Sequence, residues 1–282
     1  MIAVVYSGSH IADWRLSYKG KTIASFKTSS INPQFNDEKH ILQLLNKNIN
    51  LIHHAEEVKR VYFFSAGAST VDLNQLIYRS MSLFFKFAKV TVGHDMLAAA
   101  IACCKNMEGI VCICGSGSNA SWYDGKKLSP NNYGLGYILA DEGSANWLGR
   151  QLIKSFMNET LPGNLKQNFE HKYEADRKTI LEKVYRLRQP ALFLSSFTDF
   201  FIDHENDPWI TETILKGFSL MTDTYLLPLK TQHPGSGVHF VGSIAASFQD
   251  ELREITAKRG IQIGSIIREP INNLLTYYSN KN

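Results

Sequence analysis

The sequence is poor in the features that mark several protein classes. Four of its 282 residues are cysteine, placed as Cys103-Cys104 and Cys112-x-Cys114. Neither spacing is a C-x2-C metal half-site, and adjacent cysteines rarely bond to each other. All four are therefore expected to be reduced, buried small hydrophobes, as in a reducing compartment. Long apolar runs are missing. Apolar runs such as 110–114 and 191–194 are far too short to span a bilayer, which excludes a helical membrane protein. The net charge is a modest +4, and no Lys/Arg block is interleaved with aromatics, so a nucleic-acid face is not expected. Met1-Ile2-Ala3-Val4-Val5 carries no basic leader or cleavage site; it reads as a first strand, with a cytoplasmic location. His53-His54 beside Glu56-Glu57 offers too few ligands on one helix face to hold a metal. Low-complexity segments and flexible linkers are also absent.

What remains is a globular composition, 44% hydrophobic and 20% charged, on a chain long enough for two lobes. Strands are expected at 2–6, 13–18 and 22–27, with turns at Ser7-Gly8-Ser9 and Lys19-Gly20-Lys21. Helix, strand, helix, strand and helix follow at about 38–52, 61–64, 71–85, 89–92 and from Asp95. Such an order implies a mixed sheet flanked by helices. The pattern restarts with strands at 109–114 and 120–123. Tyr123-Asp124-Gly125-Lys126-Lys127-Leu128 echoes Tyr18-Lys19-Gly20-Lys21-Thr22-Ile23, a weak internal repeat marking two lobes with the same opening hairpins. Helical signals fill 142–229, at 144–156, 165–173, 178–187, 191–201 and 209–225, with Pro162, Pro190, Pro208 and Pro228 at boundaries. A strand at 238–241, a helix at 245–259, a strand near 261–263 and a helix at 271–278 close the chain.

Four turns carry groups suited to chemistry. Gly115-Ser116-Gly117-Ser118-Asn119 leaves a buried strand, and its glycines would let successive amides point at one anion while the serines add hydroxyl donors. It reads equally as a hairpin turn, and no Gly-Lys-Ser/Thr makes it a P-loop. Asp95 begins a helix straight after a strand. It is either a helix cap or a carboxylate facing the crevice at the strand ends, able to take a proton from a substrate hydroxyl. Asp141 is expected at a second strand-to-helix junction, and Gly242-Ser243 at a third, where Gly242 permits close backbone approach. Together these turns argue for a nucleotide cleft between lobes.

Gly115-Ser116-Gly117-Ser118-Asn119 and Gly134-Leu135-Gly136-Tyr137-Ile138-Leu139-Ala140-Asp141-Glu142-Gly143-Ser144 resemble segments of the N-acetylglucosamine kinase family, in the BadF/BadG-type branch of the actin-like ATPase and sugar kinase superfamily. Ile31-Asn32-Pro33, Phe64-Ser65-Ala66-Gly67, Phe240-Val241-Gly242-Ser243 and Pro270-Ile271 fall in family order, so the similarity runs nearly end to end. The resemblance implies an α/β fold of two ribonuclease-H-like lobes with an interdomain cleft. The N-terminal lobe would take 1–107 and be joined by 269–282; the C-terminal lobe would take 108–268 with a helical insertion. It implies ATP with Mg2+, an amino-sugar substrate and a homodimer. Asp95 would be the general base at the sugar 6-hydroxyl, and Asn32 and Asp141 would bind sugar hydroxyls. Gly8 and Ser9, with Gly115, Ser116, Gly117 and Ser118, would line the ATP phosphates, and Gly242 would border the adenosine. The cysteine-ligated iron–sulfur and zinc-loop relatives are disfavoured, because no fitting Cys/His cluster is present.

One segment departs from the family. Its first phosphate loop reads Asp-x-Gly-x-Thr-Lys-Thr-Asp, whereas here Tyr6-Ser7-Gly8-Ser9-His10-Ile11-Ala12-Asp13 stands in that place. Tyr6 replaces the acidic residue that holds Mg2+, so no protein metal ligand is expected. His10, Ile11 and Ala12 replace a lysine and two hydroxyls, donors that contribute a few kcal/mol each to phosphoryl-transfer barriers. Asn273 and Tyr278 also stand where the family favours Gly and His. Two readings result: an amino-sugar kinase, and a catalytically impaired sugar-binding or regulatory protein that keeps the kinase fold.

Overall fold

The computed structural model describes residues 1–173 and 176–281. In chain order come β1 (Ile2–Ser7), β2 (Ile11–Tyr18), β3 (Lys21–Ser29), α1 (Glu38–Asn46), α2 (Ile49–His54), β4 (Arg60–Ser65), α3 (Val71–Phe84), β5 (Lys89–His94) and α4 (Asp95–Cys104). They are followed by β6 (Gly109–Cys114), β7 (Ser118–Tyr123), α5 (Gly136–Leu139), α6 (Ala145–Met157), α7 (Gly163–Lys172), α8 (Arg177–Tyr185), α9 (Pro190–Ser195), α10 (Thr198–Asp203) and α11 (Pro208–Met221). A π-turn (Thr222–Leu226), α12 (Leu227–Gln232), β8 (Val238–Val241), α13 (Ser243–Ser247), α14 (Gln249–Ala257), β9 (Ile263–Ile267) and α15 (Ile271–Ser279) complete the chain. Among the described residues no helix is long and apolar enough to cross a membrane.

The chain divides into two units, one of Met1–Met107, Gly125–Leu128 and Glu269–Asn282, the other of Glu108–Asp124 and Ser129–Arg268. The first holds a five-stranded sheet in the order β3-β2-β1-β4-β5. Its β1–β2 and β2–β3 pairs are antiparallel, whereas β1–β4 and β4–β5 are parallel. Strand alternation sorts the residues of β1 and β2: Ala3, Val5, Ala12, Trp14 and Leu16 enter the core, where Trp14 stacks on Phe26 and meets Phe63 edge-on. Tyr6 and Asp13, directly paired across the two strands, lie on the opposite face.

The second unit holds the order β7-β6-β8-β9, with β6–β7 antiparallel and β6–β8 and β8–β9 parallel. It repeats the first hairpin and the parallel pairs but not the third antiparallel strand. Residues 125–128 instead belong with the first unit. Gly125 sits at φ +92, where a Cβ would lie 2.5 Å from the Asn106 carbonyl oxygen. The weak repeat therefore extends only to the first hairpin.

Several helices are shorter than periodicity suggests, each for a local reason. The helix expected over 38–52 breaks because Asn48 caps a new one, its Oδ1 accepting from the Asn50 and Leu51 amides. That over 191–201 breaks where Ser195, Ser196 and Thr198 hydroxyls bond back to the carbonyls of Leu192, Phe193 and Ser195. The helix of 245–259 divides at Phe248, whose ring is buried. Pro228 stands in the first turn of α12, a boundary position as expected. It lacks the N–H an α-turn needs and its ring would meet the carbonyl four residues back, so the turn before it widens to π geometry. The last strand starts at Ile263 rather than Ile261, because the Ile261 amide closes the end of α14 on the Thr256 carbonyl at 2.9 Å. None of the four cysteines is in a disulfide, as expected, although Cys103 is only half-buried.

Candidate functional site

In the first unit three strand ends carry the candidate residues. Ser7 and Ser65, fully buried at the ends of β1 and β4, both donate to the Ile31 carbonyl, at 3.1 and 2.7 Å. The Ile31 amide returns a bond to Ser7 Oγ at 2.8 Å. This clamp fixes the chain just before Asn32. Asn32 Oδ1 accepts the Gln34 amide at 3.0 Å. Its neighbour Gly67 sits at φ +83, with room for no more than hydrogen on Cα: a Cβ would fall 2.4 Å from Asn32 Oδ1.

Asp95 is the first residue of α4, directly after β5, and its side chain keeps 17% exposure. The helix cap is His94, not Asp95. Asp95 Oδ1 accepts the Met96 amide at 2.8 Å and lies 2.9 Å from His94 Nδ1. Burial by itself would lower the His94 pKa, but its hydrogen bond to Asp95 and that carboxylate's charge together hold it above the ordinary value.

The first loop offers little to a metal, and its Gly8 backbone is already engaged. The Gly8 amide is used within the hairpin, on the Ile11 carbonyl at 3.0 Å, and the Gly8 carbonyl accepts Ser30 Oγ at 2.6 Å. Ser9 lies beside it, half-buried. Burial, reinforced by the Asp95 charge, pushes the Tyr6 phenol well above its ordinary pKa, so Tyr6 presents a neutral hydroxyl. Its partner Asp13 is buried and faces the cations Arg15 at 3.6 Å and Lys27 at 3.9 Å. Among the described residues no group of three or more His, Cys, Asp or Glu side chains could hold a metal ion. The residues present do not fit a protein-anchored Mg2+ at this loop.

In the second unit the Gly115–Ser118 turn is tied down from two sides. The Ala145 and Asn146 amides, at the start of α6, donate to the Gly115 and Ser116 carbonyls at 2.9 and 3.1 Å. Asn146 Nδ2 reaches the Ser116 carbonyl and Asp141 Oδ2, each at 2.7 Å. Asp141 Oδ1 accepts the Ser118 amide at 2.9 Å. Gly117 passes so close that a Cβ would be 3.0 Å from both Asp141 oxygens. The Ser116 and Gly117 amides and Ser116 Oγ have no protein acceptor among the described residues, so these are the loop's available donors.

Asp141 is not at a strand-to-helix junction. The short helix α5 precedes it, and Asp141 itself sits at φ +64. Desolvation raises its pKa, against the lowering effect of its bonds from Ser118 and Asn146. Ser118 Oγ donates to the Glu142 carbonyl at 2.8 Å, and Tyr225, carried by the π-turn, donates to the Glu142 carboxylate. Nothing in the sequence around Tyr225 or Asn146 marks these partnerships.

Gly242 sits at φ +134, where a Cβ would lie 2.3 Å from the Cys114 carbonyl oxygen. Any side chain there must move the start of the Gly115–Ser118 turn. Gly242→Ala is expected to destabilise the protein by about 1–3 kcal/mol and to abolish any thermal stabilisation by ATP. Thermal melts with and without nucleotide measure both. Asn273 and Tyr278, on α15, are packing residues: Asn273 Nδ2 donates to the Ala102 carbonyl at 3.2 Å, and Tyr278 stacks on Tyr62 at 3.8 Å.

Two mixed sheets of this topology, each followed by helices, define the class of the actin-like ATPases and sugar kinases. No protein-family model matches the sequence. A solved structure from Porphyromonas gingivalis, provisionally named an N-acetylglucosamine kinase, superposes with a TM-score of 0.93 at 33% identity, covering 99% of each chain. An N-acetylmuramic acid/N-acetylglucosamine kinase of Clostridium acetobutylicum is 27% identical over 179 residues, 62% of this chain and 55% of the kinase. The match thus spans about half the length of that curated relative. A ROK-family glucokinase from Streptomyces griseus shares the fold, with a TM-score of 0.58 at 13% identity over 98% of this chain and 97% of its own. The chain belongs to the N-acetylglucosamine kinase family of sugar kinases.

Proposed function

We propose that the protein phosphorylates an amino sugar of the N-acetylglucosamine type at its 6-hydroxyl, using ATP, with Asp95 as the general base. The observation that carries this reading is the Asp95 carboxylate at the C-terminal end of β5, with Oδ1 held by the Met96 amide and Oδ2 left for substrate. In the reaction the hydroxyl proton passes to Asp95 Oδ2 as the sugar oxygen bonds the γ-phosphorus. The bridging bond to ADP breaks, and ADP leaves with that electron pair. Ser116 and Gly117 would meet the phosphates through amides that have no other acceptor, with Ser116 Oγ adding a donor. Ser118 serves the same loop from within, its amide on Asp141 and its hydroxyl on the Glu142 carbonyl. Gly242 would border the adenosine.

Asn32, fixed by the serine clamp, would bind a sugar hydroxyl. Asp141 would reach one only through lone pairs left over from holding the loop. The ATP assignment is supported by the Streptomyces griseus glucokinase, which was solved with glucose and AMPPNP. Magnesium ordinarily supplies charge neutralisation in such transfers, but Tyr6 gives it no anionic ligand, and no step is routed through it.

The test is coupled ADP release with N-acetylglucosamine, N-acetylmuramic acid and glucose, alongside thermal shifts with each ligand. Turnover above about 1 s⁻¹ on an N-acetylated sugar, an ordinary lower value for an enzyme, is expected. Sugar-dependent stabilisation with neither turnover nor an ATP effect would instead establish the sugar-binding, non-catalytic reading.

A further inference from the structure

We propose that His94 is the positioning residue of the Asp95 carboxylate, a role that rests on the reading of Asp95 as base. His94 ends β5 in extended geometry, paired with Ser65 of β4, so its backbone is held by the sheet. Its Nδ1 lies 2.9 Å from Asp95 Oδ1. Two lone pairs cannot face each other at that separation, and an ionised carboxylate only accepts. The proton between them is therefore on Nδ1. With Nδ1 acting as a donor, the Met96 amide goes to Oδ1 at 2.8 Å rather than to the imidazole at 3.4 Å.

Two donors thus converge on one oxygen of Asp95. The torsion that swings a carboxylate about its Cβ–Cγ bond is broad and roughly two-fold. A single amide leaves that rotation soft; a second donor from a different element fixes its plane. The consequence is that Oδ2 is the oxygen held out for the substrate proton, in one orientation. The raised His94 pKa has the same origin, since it reports that the imidazolium is stabilised by this carboxylate against the opposing effect of burial. His94 touches neither the sugar nor the phosphates in this account; it acts through Asp95 alone.

Asparagine places its Nδ2 near the position of imidazole Nδ1, so His94→Asn keeps a donor for Oδ1, whereas His94→Ala removes it. For His94→Ala, kcat is expected to fall about 10- to 100-fold, the scale on which a misplaced catalytic group costs rate. Sugar and ATP KM should stay within about threefold, and His94→Asn should recover most of the kcat. Asp95→Asn is measured beside them. By NMR, the His94 ring should titrate at a lower pH in Asp95→Asn than in the wild type, whether or not the enzyme is turning over.

Full kcat in His94→Ala with an inactive Asp95→Asn would overturn the positioning role and leave the base standing. A His94→Asn variant no better than His94→Ala, with both folded by thermal melt, would also overturn it. So would a His94 titration unaffected by Asp95→Asn. Full activity in Asp95→Asn, or no turnover by the wild type on any of the three sugars, would remove the base reading and the positioning role with it. If His94→Ala fails to fold, the His94→Asn kinetics and the titration decide.

Discussion

Asp95→Asn is expected to lower sugar-dependent ADP release by about 10²–10⁴-fold, the range for removal of a general base. The substitution is nearly isosteric, so the fold should stay intact. Oδ1 still accepts the Met96 amide, and the His94 Nδ1 proton still points at it. What changes is the outer atom: an amide nitrogen replaces the oxygen that would take the 6-hydroxyl proton, and it cannot do so at any working pH. Sugar affinity should therefore change little, because the interaction lost belongs to the transition state rather than to the bound ground state. Steady-state kinetics with N-acetylglucosamine, paired with a sugar-dependent thermal shift, separates the two. A retained full rate would refute the base assignment, and a lost thermal shift would place Asp95 in sugar binding instead.

Asp141→Ala has the largest expected effect on stability, a loss of about 2–4 kcal/mol. Two contributions add. The Ser118 amide and Asn146 Nδ2 lose a buried charged acceptor, and each hydrogen bond to a charged group contributes about 1.5–3 kcal/mol. Alanine must also adopt φ +64, a left-handed geometry that costs it roughly 1–2 kcal/mol. Relief of the desolvated charge offsets part of this. Urea unfolding should show a lower midpoint with an unchanged slope, and, with the Gly115–Ser118 loop released from Asp141, ATP should no longer raise that midpoint.

The same residue sets a pH dependence. Folding raises the Asp141 pKa above its usual 3.8, chiefly by burial, so the folded state takes up this proton before the unfolded state does. This site therefore adds stability as pH falls through the folded value toward 3.8, and removes it as pH rises. Asp141→Asn should lack that component of the acid-side profile. At neutral pH it exchanges the charge for an Nδ2 that faces Asn146 Nδ2, a donor already bonded to the Ser116 carbonyl. Comparing unfolding curves of the two proteins across that window measures the difference.

Local pattern was sufficient for much of the fold. Alternation put Val5 and Trp14 inside and left Tyr6 and Asp13 on the other face. The apolar run of β6 ends at Cys114, and the small residues after Asp95 form a helix straight after a strand. These features depend on neighbours within one or two turns of chain, which periodicity reads directly. Where competing local bonds exist, periodicity failed: Asn48 and the hydroxyls of Ser195, Ser196 and Thr198 each interrupt a helix that hydrophobic spacing alone would continue. Pro228 stands at a boundary as read, in the first turn of α12, with the turn before it widened to π geometry.

By itself, the sequence determined the order of the strands, the place of Asp95 between β5 and α4, and the identity of the Gly/Ser turn, because each follows from side-chain period, turn chemistry or residue type. The altered first phosphate loop was legible in the same way: the change from an acidic residue to Tyr6 is one of composition. Only the tertiary structure decided which groups that chemistry leaves free. Asp141 meets Ser118 across 23 residues, the serine clamp on Ile31 spans 24 and 34, and Gly242 meets Cys114 from a different part of the chain. Such partnerships join segments with no shared periodicity, so they exist only once the sheets have formed. That is why the structure adds to Asp141, a substrate ligand by family resemblance, the work of holding the turn, while Ser116 and Gly117 keep the amides a phosphate could use.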